Sequence, residues 1–328
     1  MKKPIIAIYT GATREDGSDL FENEYKNLAY SELSRFILEK GAIPVFLIDM
    51  INEYEGGRSF GAYFSVDLYN SGALRYELVN ETIRVDLLLE RSGFSENSEN
   101  PDLNELNGVR FFSRAIREIC RDKYMTYLFA PDFHANSFLI NNSHQLGLFI
   151  LSHDKQNIVL KKPVSSYGKG VFVGQSKDYK GDLKFPLLAQ EFIDTSGGYN
   201  GLVEGHHDLR VVLCDGDPIH GLLRQPPEGS LKSTSVSDGA KSEAIFIKNI
   251  PREVIDLARQ LDSRLTNYFN IAEARMFSAD FGYNGNEWKL IEMNSSPSLA
   301  HESIDGLAAN EFLELLATKL VEHARKNQ

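Results

Sequence analysis

The chain has 328 residues, of which 42% are apolar and 25% charged, a composition typical of a soluble globular protein with two or three domains. The formal net charge of −11 argues against nucleic acid or an anionic membrane surface as the main partner. No apolar run approaches the length of a membrane span, so no membrane partner is expected. Cys120 and Cys214 lie too far apart for a metal-binding pair, and this sparse cysteine use predicts a reducing cytoplasm.

The N-terminal region alternates strand and helix patterns, which predicts the start of a parallel sheet. The runs Ile5–Tyr9 and Pro44–Ile48 are strand-like, and Glu24–Lys40 has apolar residues at the helical period with Gly41 as a C-cap. The first loop has no G-x-G-x-x-G motif, which argues against a dinucleotide site.

Two more strands are predicted in this region, near Ala62–Asp67 and at Ile83–Leu89. Arg91 follows the second of them, at the strand end where open α/β sheets bind their ligands. Arg91 is therefore a candidate clamp for a substrate carboxylate, and an ordinary surface arginine is an equally good interpretation.

The central region begins with a predicted helix at Val109–Phe129, and we place its boundary near residues 106–111. The strand Ile158–Lys162 is followed by proline and then by a loop rich in serine, glycine and lysine, Ser165–Gly170. Glycines there would let backbone N–H groups approach an anion, although a plain hairpin tip has the same composition. The loop is not a Walker motif, because G-K-[ST] is missing and a strand follows.

The C-terminal half is predicted to hold strands, a lid and helices around two arginines. Arg210 and Arg224 lie near the outer ends of a predicted hairpin. The glycine-rich segment Thr195–Gly205 is expected to be mobile, and residues 225–241, which include Lys232, have the composition of a lid. The other predicted elements are the strand Leu187–Asp194, the helix Pro251–Phe269 and a closing helix at Ala308–Arg325.

A second hairpin, residues 275–294, carries the side chains best suited to a metal. Glu292 and Asn294 are two apart and share one strand face, and a three-residue or bulged turn brings Asp280 to that face, almost opposite Leu290. Two carboxylates and an amide oxygen on one face suit Mg²⁺ that carries a polyphosphate. Two solvated acids on an ordinary hairpin are the alternative.

Together these segments resemble the ATP-grasp superfamily, and within it the glutathione synthetase-like carboxylate–amine ligases. The resemblance is carried, in family order, by Asp122-Lys123, Val159–Pro163, Ser165–Val171, Gln190–Ile193, Asp208–Arg210, Leu223-Arg224, Asp280, and Glu292-x-Asn294-x-x-Pro297. It implies an α/β and α+β fold of three parts: a Rossmann-like preATP-grasp domain at 1–106, a central ATP-binding lobe with the phosphate loop at 107–193, and a C-terminal lobe with the Mg²⁺ hairpin and lid at 194–328.

The resemblance also implies which residues bind ATP and metal. Those that would contact the phosphates and the adenine are Lys123, Lys162, Ser165, Ser166, Tyr167, Gly168, Lys169, Gly170, Gln190, Glu191, Phe192 and Ile193. Two Mg²⁺ ions, with Mn²⁺ as a substitute, would be held by Asp280, Glu292 and Asn294. The residues implied at the reacting groups are Arg210, Arg224 and Lys232, with Arg91, Asp208 and Ser296 as further candidates for substrate contacts.

The implied reaction joins a small-molecule carboxylate, such as an amino acid or short peptide, to an amine. It runs through an acyl phosphate and releases ADP and phosphate. A kinase for a small-molecule acceptor on the same scaffold and an ATP-binding module without turnover are the two alternatives. A homodimer is expected on base rates alone.

Overall fold

The computed structural model describes residues 2–9, 24–47, 58–64, 76–91, 110–165, 170–231, 239–271, 274–299 and 306–326. The chain divides into two compact units, one formed by residues 1–114, 273–276 and 298–328, the other by residues 115–272 and 277–297. Within the described part, no helix combines the length and the apolar character needed to cross a bilayer. The division into three domains stays a prediction.

The strands, in chain order, are β1 (Ile5–Tyr9), β2 (Ile43–Leu47), β3 (Arg58–Phe64), β4 (Tyr76–Arg84), β5 (Leu87–Glu90), β6 (Phe111–Phe112), β7 (Ser137–Ile140), β8 (Asn157–Lys161), β9 (Val171–Gln175), β10 (Leu187–Glu191), β11 (Asp208–Cys214), β12 (Asp217–Gln225), β13 (Lys241–Ile245), β14 (Met276–Tyr283) and β15 (Trp288–Asn294). The α-helices are α1 (Glu24–Glu39), α2 (Arg114–Arg121), α3 (Lys123–Phe129), α4 (Ser143–Ser152), α5 (Arg252–Phe269) and α6 (Gly306–Arg325).

The first unit is built on a six-stranded mixed sheet in the order β4-β3-β2-β1-β5-β6. Its middle strand β1 pairs in parallel with both β2 and β5, as the alternating strand and helix pattern predicts. All five residues of β1 are buried, which is typical of a parallel strand covered on both faces. Helices α1 and α6 pack against each other, and α6 also contacts β1 and β5.

Two secondary-structure expectations in the N-terminal region need correction. The strand expected near Ala62–Asp67 is β3, which begins at Arg58 and ends at Phe64, and it forms an antiparallel pair with β4, which was not predicted. The single helix expected at Val109–Phe129 is wrong, because β6 and two helices share that segment. Asp122 causes the break: its carboxylate accepts hydrogen bonds from the N–H groups of Tyr124 at 2.8 Å and Met125 at 3.3 Å and so starts α3 as its N-cap.

The second unit contains two sheets with separate apolar cores. The central sheet has the order β7-β10-β8-β9, and its neighbouring strands pair antiparallel. Residues from α4, including Leu146 and Phe149, cover one face together with Leu160 and Ala189 from the strands. The C-terminal sheet has the order β13-β12-β11-β14-β15, and α5 packs on β11 and β12. In both sheets one face is apolar and covered, so the polar residues of the strands collect on the other.

Candidate functional site

The polar face of the C-terminal sheet gathers charged residues from β11 and β12. Leu209, Val211 and Leu213 of β11 lie in the apolar core, so Asp208 and Arg210 occupy the opposite face. In the antiparallel register, Asp208 stands directly across from Arg224 of β12. Cross-strand neighbours of this kind are close enough for their side chains to pair.

The β14–β15 hairpin adds its polar residues through a β-bulge. Asp280 pairs with Glu292 and Ser278 with Asn294, so all four lie on one face, as predicted for the two acids and the amide. The prediction that Asp280 lies almost opposite Leu290 is wrong. The register shifts between Asp280 and Phe281, so that Phe281 pairs with Leu290 and Ile291 is an extra residue.

A three-residue or bulged turn is expected for this hairpin, and the structure instead has a tight turn with the bulge farther along the strands. Tyr283 pairs with Trp288, and Asn284 N–H donates to the carbonyl of Glu287 at 3.1 Å, which closes a tight turn with Gly285 at φ +94°. Trp288 and Leu290 lie in the core before the bulge, and Met293 lies there after it. One inserted residue thus turns Glu292 and Asn294 away from the core while keeping Trp288 and Leu290 inside it.

Asp280 is the centre of a buried ion-pair network. Its carboxylate accepts two hydrogen bonds from Arg210, from Nε to Oδ1 and from Nη2 to Oδ2, each 2.7 Å long. Arg224 Nη2 donates to the same Oδ2 at 2.7 Å, and Arg224 Nε donates to Asp208 Oδ1 at 2.6 Å. The side chain of Asp280 is 1% exposed, and those of Arg210 and Arg224 are 14% and 19% exposed. A fork-shaped guanidinium suits this bidentate geometry.

The charges of this network dominate its ionisation. Burial alone would raise the pKa of Asp280, but Arg210 and Arg224 outweigh it and hold that pKa at about 2. Burial would lower the pKa of Arg224, yet Asp208 and Asp280 raise it above its ordinary value. Asp280 and Arg224 are therefore ionised at neutral pH.

Two lysines approach the same hairpin, Lys161 from the central sheet and Lys123 from the start of α3. Lys161 shares the uncovered face of β8 with Val159, and its ammonium donates to Gln190 Oε1 at 3.1 Å and to the carbonyl of Ile291, the bulged residue, at 3.3 Å. Burial lowers the pKa of Lys161 to about 8, although Glu292 acts in the opposite direction. Lys123, at the start of α3, donates to the carbonyl of Ser165 at 2.5 Å and to its Oγ at 3.2 Å. Burial lowers the pKa of Lys123 too, and Glu292 and Asp122 oppose the shift.

Lys162 has a different environment from Lys161. Its methylene groups lie beside Gly170, where a Cβ would come within 3.3 Å of the lysine Cγ and Cδ atoms. Its backbone N–H donates to the Gly170 carbonyl at 3.2 Å, so Lys162 lies beside the C-terminal end of the Ser165–Gly170 segment. Lys161 is the residue that sequence reasoning missed, because two adjacent lysines at a strand end do not reveal which one faces the site.

The remaining predicted residues fall in several places. Glu191 accepts a hydrogen bond from Asn136 Nδ2 at 2.9 Å, and the ring centroid of Phe192 lies 6.1 Å from that of His206. Ile193 packs next to Gly282 of β14, where a Cβ would approach Ile193 Cγ2 to 3.3 Å. Ser296 is exposed. Arg91 belongs to the first unit, and its Nε donates to the hydroxyl of Tyr30 at 3.3 Å. The residues that lie outside the described part are Ser166, Tyr167, Gly168, Lys169 and Lys232.

The hairpin residues fit a hard cation by their donor chemistry. Asn294 Nδ2 donates to Glu292 Oε1 at 3.2 Å, which leaves the amide oxygen of Asn294 and the second carboxylate oxygen of Glu292 as acceptors. Ser278, which is fully buried on the same face, has no hydrogen-bond partner for its hydroxyl among the described residues. These are oxygen donors of the kind Mg²⁺ prefers, and they leave coordination positions for phosphate oxygens. In the described residues no three His, Cys, Asp or Glu side chains form a metal cluster.

Comparison with known proteins identifies the domain. The family model of the RimK-like ATP-grasp domain matches residues 132–309 of the sequence, more than half of the chain. No curated protein matches the sequence. The fold is similar to that of the ATP-grasp ligase PsnB complexed with a phosphomimetic variant of its minimal precursor, Mg and ADP, at 14% identity and a TM-score of 0.61, over 98% of this chain and 99% of that one.

Two other solved structures show the same likeness. The D-Ala:D-Ser ligase VanG from Enterococcus faecalis is 13% identical with a TM-score of 0.61, over 98% of this chain and all of that one. The D-cycloserine synthetase DcsG is 12% identical with a TM-score of 0.61, over 96% and 99% of the two chains. At this identity the likeness shows the fold, and with the family match it confirms the predicted superfamily and the mixed α/β and α+β architecture. The chain belongs to the RimK-like ATP-grasp domain family.

Proposed function

We propose that the protein is an ATP-dependent carboxylate–amine ligase that works through an acyl phosphate. The observation that carries the proposal is the single polar face on which Asp280, Glu292 and Asn294 stand beside Arg210 and Arg224. Lys161 on the central sheet and Lys123 at the start of α3 both approach this hairpin, since Glu292 influences the ionisation of both. A nucleotide triphosphate and a carboxylate are the anions that such a mixture of cations and metal donors suits.

Each group on the face has a distinct task in this proposal. Glu292, Asn294 and Asp280 would hold Mg²⁺, which when bound neutralises charge on the phosphate oxygens. Lys161, Lys123 and Lys162 would bind the phosphates, and the ends of the Ser165–Gly170 loop would contribute backbone N–H groups. Two metal ions, with Mn²⁺ as a substitute, remain the expected complement.

The reaction begins when a carboxylate oxygen of the substrate attacks the γ-phosphorus of ATP. The bond from that phosphorus to the bridging oxygen breaks, and ADP leaves with its electron pair. Arg210 and Arg224, fixed by Asp280 and Asp208, would stabilise the charge that develops on the transferring phosphoryl and the acyl oxygen. The amine then attacks the acyl carbon, the C–O bond to phosphate breaks, and amide and phosphate are released as the nitrogen loses a proton.

The substrates in this proposal are an amino acid or a short peptide and a small amine. The neighbours' names support this class, since they refer to ligation of D-alanine and D-serine, to synthesis of D-cycloserine and to a minimal precursor. The arginines on the polar face favour an anionic substrate group. Arg91, Asp208 and Ser296 remain candidates for substrate contacts, and Lys232 for the γ-phosphate. The cytoplasmic location and the homodimer also remain expectations.

Trapping with hydroxylamine tests the reaction class. Pairs of amino acids and short peptides are first screened with Mg²⁺ and ATP for release of phosphate, and each active acid is then incubated with hydroxylamine. A ligase forms the hydroxamate of that acid, because hydroxylamine captures the acyl phosphate. A phosphorylated product that is stable to hydroxylamine would favour a kinase, and no phosphate release with any pair would favour a module without turnover.

The metal hairpin is tested with the matched pair Glu292→Gln and Glu287→Gln. Glu292 stands opposite Asp280, whereas Glu287 lies at the exposed tip of the same hairpin and pairs with Lys289. Loss of one key electrostatic group lowers turnover by about 100-fold or more, so Glu292→Gln is expected to do so while Glu287→Gln stays near the wild type. Equal turnover in both variants would contradict the metal assignment.

A further inference from the structure

A chain of buried hydrogen bonds crosses the central sheet and ends at Lys161. Ser137 Oγ donates to the carbonyl of Ala135 at 2.9 Å and accepts from Gln190 Nε2 at 2.9 Å. Gln190 Oε1 in turn accepts from the Lys161 ammonium at 3.1 Å. Ser137, Gln190 and Lys161 are 4%, 3% and 5% exposed, so water competes little for these contacts.

The strand register brings these three side chains together. Gln190 of β10 pairs with Ser137 of β7 on one side and with Val159 of β8 on the other. Lys161 is two residues beyond Val159 on the same face, at the diagonal distance that long side chains can span. The apolar residues Leu160 and Ala189 point into the covered core on the other face.

The ammonium determines which way the Gln190 amide points. Because an ammonium only donates hydrogen bonds, the atom that faces Lys161 must be the amide oxygen, and the NH₂ group must face Ser137. Both ends of the side chain are therefore engaged inside the protein. One N–H and one oxygen lone pair of the amide remain, and with 3% of Gln190 exposed they have little access to a ligand.

Lys161 is held only by neutral acceptors. Its two hydrogen bonds go to Gln190 Oε1 and to the carbonyl of Ile291, and within the described residues no carboxylate accepts from it. An ammonium has three donors, so one N–H remains for an incoming group. Its charge is likewise not cancelled by a direct ion pair, which leaves it available to a phosphate.

We propose that Gln190 is a positioning residue that aims Lys161 at the nucleotide phosphates, and that its side chain does not read the adenine base. This inference rests on the proposed function, because it takes ATP to be the ligand. Loss of the Gln190 oxygen would free the lysine to move and would weaken the binding of any nucleoside triphosphate to the same degree. Direct reading of the base would instead change the preference of the site for adenine over guanine.

Calorimetric titration with Mg·ATP and Mg·GTP separates these two roles. Gln190→Met removes the acceptor at similar side-chain length, and a lost hydrogen bond to a charged group is expected to raise both dissociation constants about 10-fold or more. The ratio of the ATP and GTP constants is expected to stay within about twofold of that of the wild type, because a base-reading contact that is lost changes such ratios far more. Gln260→Met, at an exposed position on α5, is the matched control and is expected to leave both constants unchanged.

A double-mutant cycle tests whether the effect of Gln190→Met on nucleotide binding acts through Lys161. Lys161→Met with Gln190→Met is expected to bind Mg·ATP no more weakly than Lys161→Met alone, since the glutamine then has nothing to aim. Ser137→Ala removes the partner of the Gln190 NH₂ group at lower risk to folding. It is expected to weaken the binding of both nucleotides equally, by a smaller factor than Gln190→Met does. It serves as the test if Gln190→Met does not fold.

The outcomes distinguish this inference from the function on which it rests. A wild type that binds neither Mg·ATP nor Mg·GTP would overturn both. Binding by the wild type, with a changed ratio of the two constants in Gln190→Met or Ser137→Ala, would overturn the positioning role and leave the ligase proposal intact. Additive losses in the double variant would do the same.

Discussion

The two polar faces of the second unit hold their charges in opposite ways. On the C-terminal sheet, Arg210 and Arg224 are bonded directly to Asp280 and Asp208, and each charge is neutralised where it stands. On the central sheet, Lys161 is buried, and its partners among the described residues are an amide oxygen and a backbone carbonyl. The first face is stable by itself, whereas the second holds a cation whose best partner is an anionic ligand.

The difference shows in the pKa values of the two faces. Burial favours the neutral form of both Asp280 and Lys161, and among the described residues opposite charges contact Asp280 but not Lys161. In the folded protein, one face therefore holds the Asp280 carboxylate with a lowered pKa, and the other holds the Lys161 ammonium with a lowered pKa. The variants below test this contrast.

Asp280→Ala should break the paired face. The replacement leaves two buried guanidinium groups without their shared carboxylate, and removal of one partner from a buried ion pair lowers the free energy of unfolding by about 3–5 kcal/mol. Urea unfolding measures the change. Glu287→Ala, on the same hairpin with its side chain 59% exposed, is the control and should remain within about 0.5 kcal/mol of the wild type. A loss equal to that of the control would mean that the network contributes no stability.

Lys161→Met should show how the buried Lys161 ammonium affects the pH dependence of the free energy of unfolding. The pKa of Lys161 is about 8 in the folded protein and 10.5 in the unfolded chain, so between these values the unfolded chain binds the extra proton. The unfolding free energy of the wild type should therefore rise with pH relative to that of the variant, by up to about 3 kcal/mol between pH 8 and pH 10.5. Below pH 8 both states carry the proton and the difference should be flat. Denaturant unfolding of the two proteins from pH 7 to 10.5 measures it, and parallel curves would contradict the account.

Gly282→Ala should disturb the point where the two faces meet. A Cβ at this position would lie 2.9 Å from Thr195 Cγ2 and 3.2 Å from Ile291 Cδ1, so the segment after β10 would have to move away from β14. Overpacking of this kind is expected to lower the free energy of unfolding by about 1–3 kcal/mol. Thermal or urea unfolding measures the loss, and an unchanged stability would show that the contact can relax.

Gly147→Ala is the matched glycine substitution with the opposite expected sign. Gly147 lies within α4, and a Cβ there would meet nothing within 4 Å. Alanine favours a helix interior over glycine by about 0.5–1 kcal/mol, and the variant should be more stable by that amount in the same unfolding experiment. A destabilised Gly147→Ala would point to a general intolerance of glycine replacement and would remove the special meaning of Gly282.

Local sequence patterns predicted much of the fold but not the contacts between distant segments. The shared face of Glu292 and Asn294 followed from strand periodicity, since a spacing of two keeps residues on one side, whereas Asp280 joins that face through the bulge. The bulge at Ile291 could not be predicted in the same way, because it depends on which residues of the two strands pack into the apolar core. The ion pairs of Asp280 with Arg210 and Arg224 join residues 70 and 56 positions apart, which no local pattern reveals.

The glycine-rich segment Thr195–Gly205 shows how one residue type can indicate two different structures. It was expected to be mobile, but Tyr199 N–H donates to the carbonyl of Val203 at 2.9 Å and the ring of Tyr199 lies 4.9 Å from that of Trp288. Gly198 has φ +67°, and a Cβ there would be 2.3 Å from the Val203 carbonyl oxygen. Glycine is needed here for a tight turn, and sequence alone does not distinguish that need from flexibility.

The extra residue at Ile291 makes two properties of the hairpin separable by a change in chain length. Deleting Ile291 would restore an uninterrupted ladder in which Glu292 becomes the next residue after Leu290 and still falls opposite Asp280. The same deletion would remove the carbonyl that now accepts from Lys161. A shortened hairpin would thus retain its pair of facing acids but lose this hydrogen bond to the central sheet, without altering any charged residue.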